Sequence, residues 1–343
     1  MSNLITSVIT LLESYFVLLS SLSRELVTFT LLFAFVVLSA AELNYPKRSL
    51  PLKSLRKSYQ TNAGLFVFNS IVVSSLSATP LMMVAKRYSG RGLLDHMYNP
   101  AWKALLSFLL LDLFVYFWHR ASHSFDSLWM FHKVHHNDPY LNVSTAFRIH
   151  IAELLFLTVL KMTYIMMLGV DQTMVLTYEA LMTVFIMFHH TNISFNGEKH
   201  LGLVIIAPYL HRAHHSTERK EHDTNYGAVF SIWDRLFGTF AELEPLEIGI
   251  KNSSPQTFFG LIKLGFAPEN PVPEHELDWN LKLMIAEAAY YKAEKRAFTP
   301  GNELRDWLEA KREIIRMVYG NKSIKKQATQ SVWSSSRSPF TLC

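Results

Sequence analysis

The chain has a single cysteine, Cys343, among its 343 residues, and this scarcity removes several classes of protein. One thiol can form neither an intramolecular disulfide, nor a thiolate zinc finger, nor an iron–sulfur cluster. Any metal that the chain binds must therefore be held by nitrogen or oxygen ligands.

Charged residues are also scarce, at 18% of the chain, whereas apolar residues make up 50%. This balance favours a membrane protein or a very large core. The formal net charge of +5 comes from Lys and Arg that flank apolar segments, without the interleaved aromatic residues expected for nucleic-acid binding. We therefore expect a membrane with anionic lipid headgroups, and no nucleic acid, as the partner.

Long apolar segments support the membrane interpretation, because crossing a bilayer takes roughly 20 mostly apolar residues. The segments that meet this length are residues 26–43, 63–85, 101–118 and the stretch 151–190, which is interrupted by GVDQ at 169–172 and is long enough to cross and return. Residues 1–23 are either a further span or an interfacial helix. The sequence thus predicts an all-α, multi-pass integral membrane protein.

A basic segment sets the orientation of these spans. Residues 47–57 (KRSLPLKSLRK) carry five basic residues and no acidic one, so the positive-inside rule places them in the cytoplasm. Counting spans from there brings His119 and His190, which follow two of the spans, to the cytoplasmic face.

Histidines are concentrated in two short regions with repeated spacing. The region 119–136 contains His119, His123, His132, His135 and His136, and the region 211–215 contains His211, His214 and His215. Residues three or four apart share one face of a helix, so H-x3-H and H-x2-H-H direct imidazoles toward one place. Neutral imidazole is the commonest metal-ligand side chain, and eight would suit two metals. Iron, zinc, copper and nickel all accept imidazole, so ligand type alone leaves the metal open.

The histidine motifs resemble those of a known family. HRASH at 119–123, FHKVHH at 131–136 and HRAHH at 211–215 are similar to the three histidine boxes of the fatty acid hydroxylase/sterol desaturase superfamily. STAFRIHIAE after the second box, FHHTN at 188–192 and NYGAVFSIWDRLFGTF at 225–240 also resemble bacterial members and alkylglycerol monooxygenases. The resemblance covers about residues 105–240.

This resemblance implies a four-helix transmembrane core, or five to six spans with the additional segments, whose cytoplasmic helical cap holds two iron ions. It makes the eight box histidines metal ligands, adds His190 before the third box, and leaves His150 open between a ligand and a supporting role. His189 is expected to be a neighbour of the site. Candidate hydrogen-bond partners of the ligands are Asp112, Glu153, Asn192, Asp223 and Asn225.

The implied activity is hydroxylation or desaturation of a lipid C–H bond with O2 as co-substrate. The sequence contains no Rossmann glycine pattern, cytochrome b5-like haem motif or ferredoxin cysteine set, so a separate reductase of ferredoxin or cytochrome b5 type is expected as electron donor. Alternatives are a pterin-dependent ether-lipid monooxygenase and a non-enzymatic zinc-structural membrane protein. A transporter is disfavoured because no pair of broken helices is visible. A bacterial inner membrane is preferred as the location, with the endoplasmic reticulum as the alternative.

The sequence suggests four regions. They are N-terminal membrane helices (1–100), a catalytic core with the three boxes (101–240), a cytoplasmic helical extension with helices near 276–297 and 302–318 (241–319), and a disordered tail (320–343).

Overall fold

The computed structural model describes residues 24–74, 79–250, 255–267 and 274–318, the last range without residues 304, 308, 312, 315 and 316. The chain divides into two compact units, Met1–Pro268 and Glu269–Cys343. The predicted N-terminal span or interfacial helix (1–23) and the predicted disordered tail (320–343) lie outside the described residues.

The regular secondary structure of the described residues is helical, apart from three isolated β-bridges. The all-α class predicted from the sequence is therefore confirmed. The helices are α1 (Arg24–Asn44), α2 (Leu52–Val73), α3 (Thr79–Tyr88), α4 (Pro100–Ser124), α5 (Asp126–His136), α6 (Ile151–Leu168), α7 (Gln172–His190), α8 (Glu198–Leu201), α9 (Pro208–His214), α10 (Arg219–His222), α11 (Ile232–Leu236), α12 (Phe258–Leu264) and α13 (Glu274–Lys295). Short 3₁₀ helices cover Leu93–His96 and Val143–Phe147.

Three of the described helices are long and apolar enough to cross a membrane. These segments are Glu25–Asn44, Pro100–Ser124 and Ile151–Leu168. At 1.5 Å per residue, even the shortest of them, with 18 residues, is about 27 Å long. They coincide with three of the predicted spans and support a membrane protein.

The predicted span 63–85 is not one continuous described helix. Helix α2 covers Leu52–Val73 and α3 covers Thr79–Tyr88, and residues 75–78 between them lie outside the described residues. Four polar residues of α2 are buried against the rest of the protein: Ser58, Thr61, Asn62 and Asn69. Helix α2 thus packs with a polar face inward, and it is not among the three described helices that are both long and apolar enough to cross a membrane.

The main apolar core lies between α3, α4, α6 and α7. It includes Phe108 and Leu111 of α4, Ile165 of α6, and Tyr178 of α7. Helices α6 and α7 form a hairpin that turns at Gly169, whose φ of 74° suits glycine. The antiparallel hairpin brings the start of α6 and the end of α7 to the same end of the core.

A buried polar network fixes the loop between α5 and α6. Arg148 and Asp138 form an ion pair at 3.3 Å, and both side chains are fully buried. Arg148 Nε donates to Asn62 Oδ1 (2.7 Å), and Asn62 Nδ2 donates to Asp138 Oδ2 (3.1 Å). Because Asn62 belongs to α2, this network joins α2 to the loop that follows the second histidine box.

The second unit contains α13 and a small core of its own. Ile285 of α13 packs with Ala310 and Ile314. The described residues from Glu303 to Val318 are mostly helical, as the sequence predicted for 302–318.

Candidate metal centre

The histidines of the three boxes lie near the C-terminal ends of helices. His119 and His123 are in the last turns of α4, the second box ends α5, and the third box ends α9. His190 is the last residue of α7. The C-terminal end of a helix carries a partial negative charge, which favours a bound cation. Four such ends meet at this site.

Nine histidines form two groups, and the ligand atoms within each group lie within 4.8 Å of one another. The first group is His119, His123, His132, His136 and His214, and the second is His135, His190, His211 and His215. All are buried except His119, which is half-buried. The structure thus brings together nine of the ten histidines that the sequence singled out as possible metal ligands.

The division of each box follows helical spacing. Pairs four residues apart stay in one group: His119 with His123, His132 with His136, and His211 with His215. The remaining histidines of the second and third boxes, His135 and His214, each join the opposite group. Both boxes therefore contribute to both groups.

Nitrogen positions in the second group match a shared cation. His190 Nε2 lies 3.0 Å from His135 Nε2 and 3.0 Å from His211 Nε2, and His215 Nε2 lies 3.1 Å from His211 Nε2. Imidazole nitrogens bind metals at about 2.0–2.1 Å, so two ligands at right angles are about 3.0 Å apart. The spacing is that of neighbouring ligands on one ion.

The Nδ1 atoms of two of these rings, which point away from the shared site, form hydrogen bonds that also support a bound cation. His190 Nδ1 lies 2.7 Å from the Ile186 carbonyl, and His135 Nδ1 lies 3.3 Å from the Arg148 carbonyl. A carbonyl only accepts, so each Nδ1 carries the hydrogen and each neutral ring has a bare Nε2. Burial lowers the pKa of His135 to about 3, which disfavours a proton between the two rings. Two bare lone pairs facing each other at 3.0 Å fit a metal cation.

The first group also contains neutral rings whose Nδ1 carries the hydrogen and whose Nε2 has a free lone pair. His119 Nδ1 donates to the Tyr226 carbonyl (2.8 Å), and His214 Nδ1 donates to the Thr224 carbonyl (2.8 Å). The Nε2 atoms of His119, His132 and His214 are buried without a hydrogen-bond partner. Buried polar atoms are rarely left unpaired, so these three atoms point to a ligand.

Two of the predicted carboxylate partners contact histidines of the first group. Glu153 Oε1 lies 2.7 Å from His132 Nδ1, and Asp223 Oδ1 lies 3.3 Å from His123 Nδ1. Glu153 is in the first turn of α6 and buried, and Asp223 follows α10. Such carboxylates hold the ring orientation and raise the basicity of the ligand.

Asp112, the leading candidate from sequence, has a different role. It accepts hydrogen bonds from Val229 N (2.9 Å), Phe230 N (3.0 Å) and Trp233 Nε1 (2.7 Å), and none from a histidine. Seven residues separate it from His119, about 10 Å along the helix. Asp112 therefore anchors the segment that precedes α11.

Asn192 and Asn225 also bind backbone groups. Asn192 Nδ2 donates to the Arg48 carbonyl (2.8 Å), while Asn225 Nδ2 donates to the carbonyls of Leu210 (3.0 Å) and Ala241 (2.8 Å). Asn225 has a φ of 55°, a conformation in which Asn is enriched. These two residues position loops beside the site, and their described side-chain hydrogen bonds reach no ligand ring.

His150 lies outside both groups. It caps α6, its Nδ1 accepts from Ala152 N (3.2 Å), and its Nε2 lies 3.2 Å from the Ile262 carbonyl. With Nδ1 accepting and Nε2 donating, no lone pair is left for a metal. The geometry therefore does not support His150 as a ligand. His189 also lies outside the groups, with its ring 3.9 Å from that of His211.

The sequence did not identify the backbone partners of the ligand histidines, nor His222. The carbonyls that hold His119, His135, His190 and His214 have no side-chain signature, so only the fold reveals them. His222 was not among the candidates from the sequence, but its ring stacks on Trp129 and, with His123 and Asp223, it forms a third, partly buried group that could hold a metal ion.

A cavity of about 100 Å³ adjoins the two groups. It is lined by His119, His132, His135 and other imidazoles, and by the apolar side chains of Val115, Ala146, Ile149, Ile186 and Ala228. A small apolar compartment beside metal ligands can admit a hydrocarbon segment and keep water out.

Comparisons with known proteins match the region that contains the boxes to a family. Residues 104–239 match the family described as Fatty acid hydroxylase. Residues 283–315, in the second unit, match a family described as a protein of unknown function (DUF2934). No solved structure matches the chain.

Several curated relatives share the first region. The ornithine lipid hydroxylase OlsE of Rhizobium tropici is 34% identical over 140 residues, covering 41% of this chain and 42% of that protein. The alkylglycerol monooxygenase of Homo sapiens is 28% identical over 202 residues, covering 57% and 43%. The cholesterol 25-hydroxylase of Mus musculus is 31% identical over 145 residues, covering 39% and 45%.

The alignments span less than half the length of each of these relatives. All three relatives are named as hydroxylases or monooxygenases, which are oxidoreductases, and all belong to one superfamily. Residues 104–239 carry all three boxes and both carboxylates that contact them. Residues 104–239 of the chain are therefore similar to the fatty acid hydroxylase family and to these hydroxylases and monooxygenases.

Proposed function

We propose that the chain is a membrane-bound di-iron oxygenase that hydroxylates or desaturates a C–H bond of a lipid, such as a fatty acyl or sterol lipid. It would use O2 and electrons from a separate reductase of ferredoxin or cytochrome b5 type. The observation that supports this proposal is that nine histidines form two groups beside an apolar cavity. Several of their Nε2 atoms are buried without a hydrogen-bond partner.

The ligand count favours iron over structural zinc. Structural zinc sites are almost always four-coordinate and tetrahedral, whereas the first group offers five imidazoles. Tetrahedral ligands at about 2.1 Å would also be about 3.4 Å apart, more than the 3.0–3.1 Å between the Nε2 atoms of the second group. Both features suit a metal of higher coordination number.

In this proposal each histidine group holds one iron ion. When bound, the iron pair would supply the activation of O2 and the removal of hydrogen from an unactivated C–H bond. The residues of the chain hold and orient that centre. Glu153 and the carbonyl of Tyr226 accept the outer ring hydrogens, so that the Nε2 atoms of His132 and His119 remain free to bind.

A contact near the basic segment supports the membrane arrangement that we propose. We place α1, α4, α6 and α7 in a four-helix core with the metal centre at its cytoplasmic end. In support, Lys47 N donates to the Asn192 carbonyl (2.8 Å) and Arg48 N donates to Asn192 Oδ1 (3.1 Å), two residues after His190. The basic segment and the metal centre thus lie at the same end of the helices. A bacterial inner membrane is the preferred location, with the endoplasmic reticulum as the alternative.

A pterin-dependent ether-lipid monooxygenase is the second candidate. The human alkylglycerol monooxygenase aligns with 57% of this chain, a larger share than either hydroxylase described above. Supplying the purified protein with an alkylglycerol and a reduced pterin separates the two proposals, because the lipid hydroxylase would need a protein reductase instead.

Metal analysis of the purified protein tests the oxygenase. We expect about two irons per chain in the wild type and a loss of iron in His135→Ala and His214→Ala, one from each group. His200→Ala is the matched control, because His200 is exposed and outside both groups. Lipid analysis of expressing cells should then show one lipid class gaining oxygen or losing two hydrogens with the wild type and the control only.

The zinc-structural alternative gives the opposite result. Stoichiometric zinc, no iron after reconstitution, and identical lipid profiles in cells expressing each variant would overturn the oxygenase proposal.

A further inference from the structure

A third group of metal-binding side chains lies beside the first histidine group. Its members are His123, His222 and Asp223, whose candidate ligand atoms lie within 4.8 Å of one another. Two imidazoles and one carboxylate, with further positions open to water, are a ligand set that suits Fe²⁺. His123 belongs both to this group and to the first group. The two groups therefore share one ligand.

His123 presents a different ring nitrogen to each group. Its Nε2 lies 3.1 Å from His136 Nε2 in the first group, and its Nδ1 lies 3.3 Å from Asp223 Oδ1. A neutral imidazole has one ring nitrogen with a hydrogen and one with a lone pair. A cation bound on one side of the ring therefore leaves the hydrogen on the other side, and the neutral His123 ring serves one group at a time.

The backbone determines the tautomer of His222. Its Nδ1 lies 3.2 Å from the Ser216 carbonyl, which only accepts, so Nδ1 carries the hydrogen of the neutral ring. The lone pair is then on Nε2, which lies 3.5 Å from Asp223 Oδ1. Stacking on Trp129 holds the ring in place. Tetrahedral ligands at about 2.1 Å from a metal are about 3.4 Å apart, so this spacing suits two ligands of one cation.

The two carboxylate oxygens of Asp223 face different partners. Oδ1 faces His123 and His222, while Oδ2 accepts from Arg219 Nε (3.2 Å). The Arg219 side chain is 64% exposed, so water screens its charge. Arg219 thus orients the carboxylate from the outer side and leaves Oδ1 for a cation.

The third group lies closer to water than the first group. The side chain of Asp223 is 35% exposed and that of His222 is 14% exposed, whereas that of His123 is 1% exposed. His132, His136 and His214 of the first group are also buried. The exposed and the buried ligands are therefore connected through the shared His123 ring.

We propose that His222, Asp223 and the Nδ1 atom of His123 form an entry site, which takes a divalent cation from water and passes it to the first histidine group. While the cation is at the entry site, His123 Nε2 carries the hydrogen and donates to His136 Nε2. After transfer, His123 Nε2 binds the cation, and Nδ1 carries the hydrogen and donates to Asp223. One hydrogen changes nitrogen, with no net gain or loss of protons or electrons. This inference rests on the proposed metal centre and adds the route by which it is filled.

The rate of metal uptake by the purified full-length protein tests the entry site. Bound metal is first removed with a chelator, Fe²⁺ is added without O2, and the Fe²⁺ left in solution is measured over time with a chromogenic chelator. His222→Phe keeps a ring against Trp129 but removes the ligand. Its uptake should be slower about tenfold or more, the scale on which metal affinity falls when a partner of a metal site is removed. Its final metal content should equal that of the wild type, because both inner groups are intact.

His200→Phe is the matched control for this substitution. His200 is exposed and lies outside all three groups, so its replacement should leave the uptake rate unchanged. His222→Gln provides a second variant that keeps a polar side chain, and it should also be slowed.

A thiolate at position 222 makes the entry site visible. In a Cys343→Ser background, which removes the native thiol, His222→Cys places a thiolate ligand beside Asp223. Added Co²⁺ should produce a thiolate-to-cobalt charge-transfer band that rises first and then decays as the ion moves inward. His200→Cys in the same background should show no band. A band that persists in His222→Cys would indicate a resident metal and overturn the transfer step.

Two results of the uptake experiment would overturn the inference. One is an equal rate for His222→Phe and His200→Phe, and the other is a lower final metal content in His222→Phe, which would make His222 a permanent support of the centre. Failure of the oxygenase proposal has a different signature, namely bound metal without an oxidised lipid, with uptake still slowed in His222→Phe. Failure of this inference leaves the iron content and the lipid product intact.

Discussion

The hydrogen bonds of Asp112 predict a large loss of folding stability when its carboxylate is removed. Its carboxylate is fully buried and accepts three hydrogen bonds, from Val229 N, Phe230 N and Trp233 Nε1. Asp112→Ala leaves one buried and two partly buried donors unpaired, at a cost of about 1–3 kcal/mol each. The expected total of roughly 3–9 kcal/mol is a large part of the about 5–15 kcal/mol that stabilises a typical protein.

The measurement is thermal melting in detergent, followed by tryptophan fluorescence. At an unfolding entropy of about 2.1 cal/mol/K per residue, a change of 1 kcal/mol shifts the Tm of a chain of 343 residues by about 1.4 °C, so Asp112→Ala should lower the apparent Tm by at least about 4 °C. Asp171→Ala is the control, because Asp171 accepts a single capping hydrogen bond from Met174 N (2.9 Å). Loss of such a cap costs about 0.5–2 kcal/mol.

Two results would refute this reasoning. A melting temperature for Asp112→Ala equal to that of Asp171→Ala would show that the three hydrogen bonds do not anchor the segment before α11. A variant that melts normally but loses iron would instead restore Asp112 as a partner of the metal centre.

Three further changes probe the site and its scaffold. Glu153→Gln should weaken iron binding about 10–100-fold with little change in Tm, measured by competition with a chelator, because the carboxylate orients a ligand ring; unchanged affinity would contradict that role. Asp138→Ala should cost about 3–5 kcal/mol by leaving Arg148 buried and unpaired, and replacing both residues by apolar ones should recover much of it. Gly169→Ala should lower the Tm more than Gly197→Ala, since both have positive φ but only the Cβ at 169 would meet neighbouring backbone at 2.5 Å; equal shifts would argue against that close approach.

Local patterns in the sequence account for much of the candidate site. The box histidines could be found because ligands three or four residues apart lie on one turn of one helix, and helical spacing is local. His190 was found through its family pattern, and the apolar segments that coincide with the three membrane-length helices could be recognised from length and composition. The pairs His119 with His123 and His211 with His215 even stay together in the structure, as their spacing indicates.

Other features depend on how distant segments pack. Asp112 and Glu153 are both acidic residues in apolar helices, and nothing local shows that only Glu153 reaches a ligand. His150 was ambiguous for the same reason, because its partner carbonyl belongs to Ile262, more than a hundred residues away. The buried polar face of α2, which overlaps the span expected at 63–85, is visible only against the loop that it binds.

The sequence by itself determined which side chains can bind metal, since donor chemistry and helical spacing are properties of short segments. The tertiary structure alone decided how the nine histidines divide into two groups, which carbonyls fix their tautomers, and where an apolar cavity adjoins them. Those properties arise from the contacts between α2, α4, α5, α6, α7 and α9, and contacts between distant segments follow from packing the whole core at once.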